Sequence, residues 1–419
     1  MKTALAFTFA FLSLCASAQV RLPRSAEGNA LQQLAEITGT EAGDDFGLFV
    51  AVSGNTLAVG APAASDVCEN CGAVYVYTAV SGDWTNLVQV AILRQSAGQT
   101  VPGGFGYPVA ISGNTIVAGG IDSTIGQAAA FVYVNPSGNA TQTAELTTTV
   151  DNGEEIDSIG IDGGTVVVGS TAALAVPHGD GAAFVYVEPT TGWADMTQTA
   201  ELVSKDVNTA FGGSVGVSGR NVAVGATEVK IGGIEQGAAY LFLEPAAGWS
   251  GIRSPNAEFE ASNGTRNAEF GRSASVSGDT VAIGAPDEAA SPSQGAVYMF
   301  TRPPSGWPKI MTETAELTAS HAGGGAELGV SVVLNGSTVV AGAPFAHAGQ
   351  GLVYVFSEPP GGWQSSAQAE EIAASDGSAN NDFGFSVSIG GSVIAAGAFG
   401  WPAGGNSADG AAYVFGEDQ

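Results

Sequence analysis

The chain has 419 residues, 61 of them glycine, and only 12% of its residues are charged. Its 40 acids against 12 bases give a net charge of −28, a field that repels phosphate backbones and anionic headgroups and so excludes nucleic acid and membrane surfaces as natural partners. Long apolar stretches of helical period are missing, so the composition points to short strands punctuated by glycine; the acids read as scattered, which suggests a role in solubility.

Residues 1–18 read as an export signal. Lys2 is the lone charge, an apolar run follows from Ala4 to Leu14, and Ala16-Ser17-Ala18 gives a small-x-small cleavage site before Gln19. That run is too short to span a bilayer. Residues 19–419 are therefore expected to form one secreted domain, periplasmic if the host is bacterial.

One pattern then recurs seven times. It opens with Phe-Gly, passes through a small-residue strand to a glycine-led turn, and continues as an apolar strand ending in Gly-Ala-Pro or a relative. A variable loop follows, then Gly-Ala-Val-Tyr-Val-Phe, a Gly-x-Trp turn, and a strand containing Ala-Glu-Leu. The anchors are Phe46-Gly47, Phe105-Gly106, Phe211-Gly212, Phe270-Gly271 and Phe383-Gly384, with Leu328-Gly329 relaxed and Glu155-Ile156 in the third copy. Spacing between anchors is about 56 residues, which suits a four-stranded blade with short loops. The turns Gly54-Asn55, Gly113-Asn114, Gly278-Asp279 and Gly336-Ser337 put glycine first, as a type II′ hairpin requires.

The second and third strands, such as Leu57-Ala58-Val59-Gly60 and Ala73-Val74-Tyr75-Val76-Tyr77, are nearly continuous apolar runs, as expected of strands sandwiched between neighbouring blades. Ala144-Glu145-Leu146, Ala200-Glu201-Leu202 and Ala315-Glu316-Leu317 alternate and predict a half-exposed outer strand whose charge discourages edge pairing. Leu34-Ala35-Glu36-Ile37 is such a strand with no blade before it, and Gly410–Phe415 is a third strand with no fourth after it. Joining the two closes a seventh blade. The predicted fold is therefore all-β, a seven-bladed propeller of four-stranded blades closed by its N-terminal strand.

Phe-Gly followed by Gly60-Ala61-Pro62, Gly284-Ala285-Pro286 and Gly342-Ala343-Pro344 resembles the FG-GAP repeat, which builds the seven-bladed head of integrin α subunits and many exported microbial proteins. The resemblance implies an extracellular binding or cell-adhesion role. Several integrin blades carry an Asp-rich calcium loop between strands one and two. Here that connection is a two-residue turn with no room for six oxygen ligands, so no cofactor and no metal site are expected.

Chemistry is sparse. After signal cleavage Cys68 and Cys71 remain, in Cys68-Glu69-Asn70-Cys71; in an oxidising compartment a local disulfide is expected, since zinc needs two more soft ligands and a redox motif needs a βαβ context. The histidines His178, His321 and His347 fall on loops of different blades, with no nucleophile elbow or His-Glu-x-x-His beside them, so no catalytic residues are assigned. Trp84, Trp193, Trp249, Trp307 and Trp363 recur after the third strand, which argues for packing, whereas Trp401 stands alone on a strand 2–3 loop.

The 2–3 and 4–1 connections emerge on one face and differ in every blade, as binding loops on a rigid scaffold do. Trp401, Phe345 and His347 are its candidate contacts for an extracellular protein or glycan. Asn139, Asn263 and Asn335 lie in Asn-x-Ser/Thr sequons and are N-glycosylation acceptors in a eukaryotic host. A monomeric, non-catalytic binding propeller is the expectation. A propeller lectin is the alternative, and an extracellular hydrolase or lyase comes behind it.

Overall fold

The structure is a computed structural model that describes residues 31–39, 43–65, 68–95, 104–122, 126–138, 140–150, 156–174, 181–206, 209–287, 294–319, 324–366, 370–400 and 409–417. It is all-β, with seven antiparallel blades and a single helical turn at Ala346–Gly349 among the described residues. The first strands of the blades, beginning with Phe49–Ser53 and ending with Val387–Gly390, each touch the first strands on either side. Those two also touch one another, so the ring is complete.

Blade 5 shows the standard unit. Ser273–Ser277, Thr280–Ala285, Ala296–Thr301 and Ala315–Leu317 pair in that order from the axis outward. The hairpin between the first two turns on Gly278, whose φ of 56° is open to glycine without a Cβ penalty. Its six counterparts, from Gly54 to Gly391, have φ between 54° and 64°. The residue after each is not left-handed, which is the type II′ pattern. Ser53, Ser112, Ser218 and Ser277 each accept a hydrogen bond from the turn glycine N–H of the following blade, and Asp162 does the same for Gly219.

The repeat motif has a steric cause. A Cβ on the first glycine of Gly-Ala-Pro would collide with the carbonyl of the Phe-Gly glycine in the next blade: Gly60 against Gly106, Gly225 against Gly271, Gly284 against Gly329, Gly342 against Gly384. Gly397 meets Gly47 in the same way, so the contact carries the ring from blade 7 to blade 1. The anchor phenylalanines are buried against the third-strand aromatic ring, as Phe270 is at 5.4 Å from Tyr298 and Phe383 at 5.4 Å from Tyr413. Trp84, Trp193, Trp249 and Trp363 are buried in the inter-blade cores and Trp307 packs against one, which makes the recurring tryptophans part of the frame.

Closure follows the predicted route. Gln32–Thr38 pairs antiparallel with Ala411–Gly416, setting Glu36 opposite Tyr413, and so completes blade 7 with Val387–Gly390 and Val393–Ala398. Gln33 accepts the N–H of Ser375 from the 6–7 connection, just as Gln198 accepts that of Thr149 and Glu313 that of Ser262 elsewhere in the ring. The terminal strand thus takes the post that an internal strand holds in the other blades.

Three expectations need correction. In the third copy the N–H that bonds the Gly169 carbonyl, as Gly47 bonds Gly60, belongs to Asp157; the anchor is Ile156-Asp157, and this blade is one residue shorter before its turn. The outer strands are not uniformly half-exposed, since Glu201 and Glu258 are 8% and 5% exposed. Their edges are covered by a segment from the next blade that runs parallel: Met196–Thr197 on Ala144–Thr147, Gly251–Arg253 on Ala200–Leu202, and Ile310–Thr312 on Ala257–Glu260. Pairing of this kind removes the aggregation-prone edge more fully than a charge does. Nor are the acids merely scattered, for several gather where the first strands begin.

Candidate functional site at the loop face

The 2–3 and 4–1 connections do meet on one face. Asn380 N–H donates to the Ala348 carbonyl, Asp382 N–H to that of Gly349, and Gln350 Nε2 to that of Gly377, tying the 6–7 connection to the 2–3 loop of blade 6. At the start of six of the seven first strands the residue before the anchor is left-handed; the equivalent residue of blade 3, Glu155, lies outside the described residues. In blade 2 the left-handed residue is Gly104, but Asp45, Ala210, Glu269, Glu327 and Asp382 hold φ of 50–56° with a full side chain. An L-residue there costs roughly 1 kcal/mol against glycine, so the placement of four acids at this position points to a use for them.

Two of these acids line a cleft of about 370 Å³ between blades 5, 6 and 7, together with Asp287, Arg272, Phe345 and Phe385. Burial is the main reason that Glu269 and Glu327 hold their protons more tightly than an ordinary glutamate. Arg272 opposes the effect at Glu269, where Asp287 and Glu228 add to it. At Glu327, Asp287 and Glu269 reinforce burial and the carboxyl is pushed up to about 7. Asp45 and Asp382 are raised by burial alone. The Arg272 Nε–Glu269 Oε2 separation of 3.9 Å leaves the arginine only loosely engaged. The cleft therefore joins half-desolvated carboxylates, one guanidinium and two phenylalanine rings. Among the described residues that line it, no nucleophile is paired with a base.

The sequence candidates fare unevenly. Phe345 is on the cleft wall and 38% exposed. His347 sits beside it in the chain, exposed and left-handed at φ 51°, but does not line the cleft. Trp401, Asn139, His178 and His321 lie outside the described residues. Cys68 and Cys71 are joined as a disulfide pair with Cα atoms 5.3 Å apart. Asn335 is exposed immediately before a hairpin glycine. The Asn263 side chain is exposed yet engaged, accepting the Tyr298 hydroxyl at 3.0 Å and donating to Glu316 at 3.2 Å. Glu269, Arg272, Asp287 and Glu327 went unnoticed in the sequence, although acids directly before the anchor in several copies were a readable signal. Among the described residues no group of three or more His, Cys, Asp or Glu is arranged to hold a metal, and no helix is long and apolar enough to cross a membrane.

Fold and face together define a closed seven-bladed propeller with a uniform hairpin side and an irregular loop side. The FG-GAP repeat family model matches residues 34–77, 196–242, 254–300, 311–356 and 367–415, more than half of the chain. This protein belongs to the FG-GAP repeat family. The unmatched stretch between 77 and 196 holds the divergent copies, with Gly119-Gly120-Ile121 in place of Gly-Ala-Pro and Ile156 in place of phenylalanine. No curated protein sequence matches the chain. Among solved structures, the β-propeller domain of the Trilobed protease from Pyrococcus furiosus, described as having an open velcro topology, is similar. The likeness covers 83% of this chain and 89% of that one at 9% identity and a TM-score of 0.48.

Proposed function

We propose that this protein is an exported, non-catalytic binding propeller that holds a protein or glycan partner on its loop face, in an adhesion or recognition role. The observation that carries the reading is the cleft at Glu269, Asp287, Glu327 and Phe345. Carboxylates are kept on a costly left-handed backbone, and a phenylalanine stays exposed beside them, where solubility alone requires neither. Three acids against one arginine favour a partner surface that presents basic groups, and the rings supply apolar contact area. Export agrees with the signal-like residues 1–18 and with the disulfide pair.

Pull-down from the host's extracellular material and a glycan array, both on the exported chain, test the proposal. Binding of one partner that is weakened at least tenfold by Phe345→Ala and by Glu327→Gln is the expected result. Sugar binding in several equivalents that ignores both substitutions supports the lectin reading instead.

A further inference from the structure

The recurring tryptophans plug the inter-blade cores from the hairpin side, each supplied by the 3–4 turn of the later blade. Trp84 packs between blades 7 and 1, Trp193 between 2 and 3, Trp249 between 3 and 4, Trp307 between 4 and 5, and Trp363 between 5 and 6. Their surroundings repeat. Trp193 shares its cluster with Val132, Ile161 and Val166, and Trp363 shares its own with Met299, Leu334 and Val339. Val132 and Met299 are the third-strand residues opposite the outer-strand alanines, Ala144 and Ala315. The other two of each trio face one another across the first hairpin of the later blade.

Blade 2 breaks this rule. Between blades 1 and 2 the same three posts are held by Val76, opposite Ala91, and by Ile111 and Ile116, opposite one another. The 3–4 connection of blade 2 brings no ring to them, since the chain from Asn135 to Thr143 holds no aromatic residue. Gly138 bridges Ala91 in parallel as Gly251 pairs with Ala200 one core further on. Pro136, two residues before Gly138, therefore stands at the post that Trp249 holds two residues before Gly251.

At this place a cavity of about 240 Å³ opens, walled by Val76, Val90, Ile111, Ile116 and Pro136, with two threonines and two asparagines completing its lining. One of the asparagines is Asn114 of the hairpin turn, which puts the cavity on the hairpin side of the ring, away from the loop-face cleft. Val76 and Ile116 are fully buried. A cavity of about 150 Å³ lined by aliphatic side chains is enough to take up benzene, so this one has room for a larger, bicyclic ring. Nor does such a ring need a polar partner: the Nε1 atoms of Trp193 and Trp363 are buried without a hydrogen bond, so those slots hold their indoles through apolar contact.

We propose that the cavity between blades 1 and 2 is a binding site for one indole-sized aromatic ring, carried by a small molecule or by a tryptophan side chain of a partner protein. The ring occupies the slot that the chain's own tryptophan fills in five other cores.

Isothermal titration calorimetry of the full exported chain with indole, and separately with N-acetyl-L-tryptophanamide, tests the proposal. One-to-one binding of indole with a Kd of about 0.1–1 mM is expected of a ligand this small. Binding of the amide at least as tightly supports a partner's tryptophan as the source of the ring, and binding of indole alone supports a small molecule. Pro136→Trp, which returns an indole to the slot, is expected to weaken indole binding at least tenfold without lowering Tm. In the unaltered, methyl-labelled protein, bound indole is expected to give nuclear Overhauser contacts to the methyls of Val76, Val90, Ile111 and Ile116. No saturable binding of either probe at millimolar concentration overturns the proposal, as does binding that lacks those contacts or persists undiminished in Pro136→Trp.

Discussion

Replacing Phe383 by alanine is the sharpest test of how the anchors hold the blades together. The ring is fully buried, 5.4 Å from Tyr413 and 5.7 Å from Phe415, and belongs to the core between blades 6 and 7 with Val353, Ile372 and Ala396. Truncation removes most of an aromatic side chain from a site walled by strands on both sides, which cannot collapse to fill it. A loss of about 3–5 kcal/mol is expected. Phe383→Leu should cost only about 1–1.5 kcal/mol, since blade 6 already accommodates Leu328 in the same post, fully buried. Urea denaturation followed by tryptophan fluorescence reads both values, with Phe345→Ala, at an exposed ring, as a control expected within about 0.5 kcal/mol. If Phe383→Ala costs no more than that control, the anchor is not the packing element described above.

Two further outcomes follow from the same geometry. Glu145 is held up to about 7 by burial and by Asp122 and Asp195, and Glu327 likewise by burial and its acidic neighbours. Both folded values exceed the ordinary 4.5, so their contribution is present in acid and lost as pH rises through about 7. Calorimetry should show a higher Tm at pH 5 than at pH 8, with the difference reduced in Glu145→Gln; a Tm that falls steadily toward pH 5 contradicts the assignment. Ser273 is buried and donates to the Gly329 carbonyl of the next blade at 2.8 Å, so Ser273→Ala should cost about 1 kcal/mol in urea denaturation. No measurable change would show that the hydroxyl does not help join blades 5 and 6.

The repeat made most of the fold readable. Phe-Gly, the type II′ glycine and Gly-Ala-Pro each answer a local steric demand, so seven copies announce themselves, and the unpaired Leu34–Ile37 and Gly410–Phe415 runs reveal the shared blade. The parallel segments Gly251–Arg253 and Ile310–Thr312 could not be read, because three extended residues carry no periodicity and their partner strand is a blade away. The third anchor was misplaced at Glu155-Ile156 because this blade is one residue shorter before its turn, a deletion that only hydrogen-bond register exposes. Of the site, Phe345 was legible as an apolar residue on a loop. Glu269 and Glu327 were readable only as acids directly before the anchor; that they line one cleft was not, since they neighbour each other only after blades 5 and 6 pack.

Deleting Leu31–Thr38 tests ring closure most directly. Removing the strand bares the edge of Ala411–Gly416 and takes the partly buried Leu34, Ala35 and Ile37 from the core between blades 7 and 1. Differential scanning calorimetry of the exported chain is predicted to show a Tm lower by more than about 5 °C. An unchanged Tm would contradict a propeller closed by its N-terminal strand.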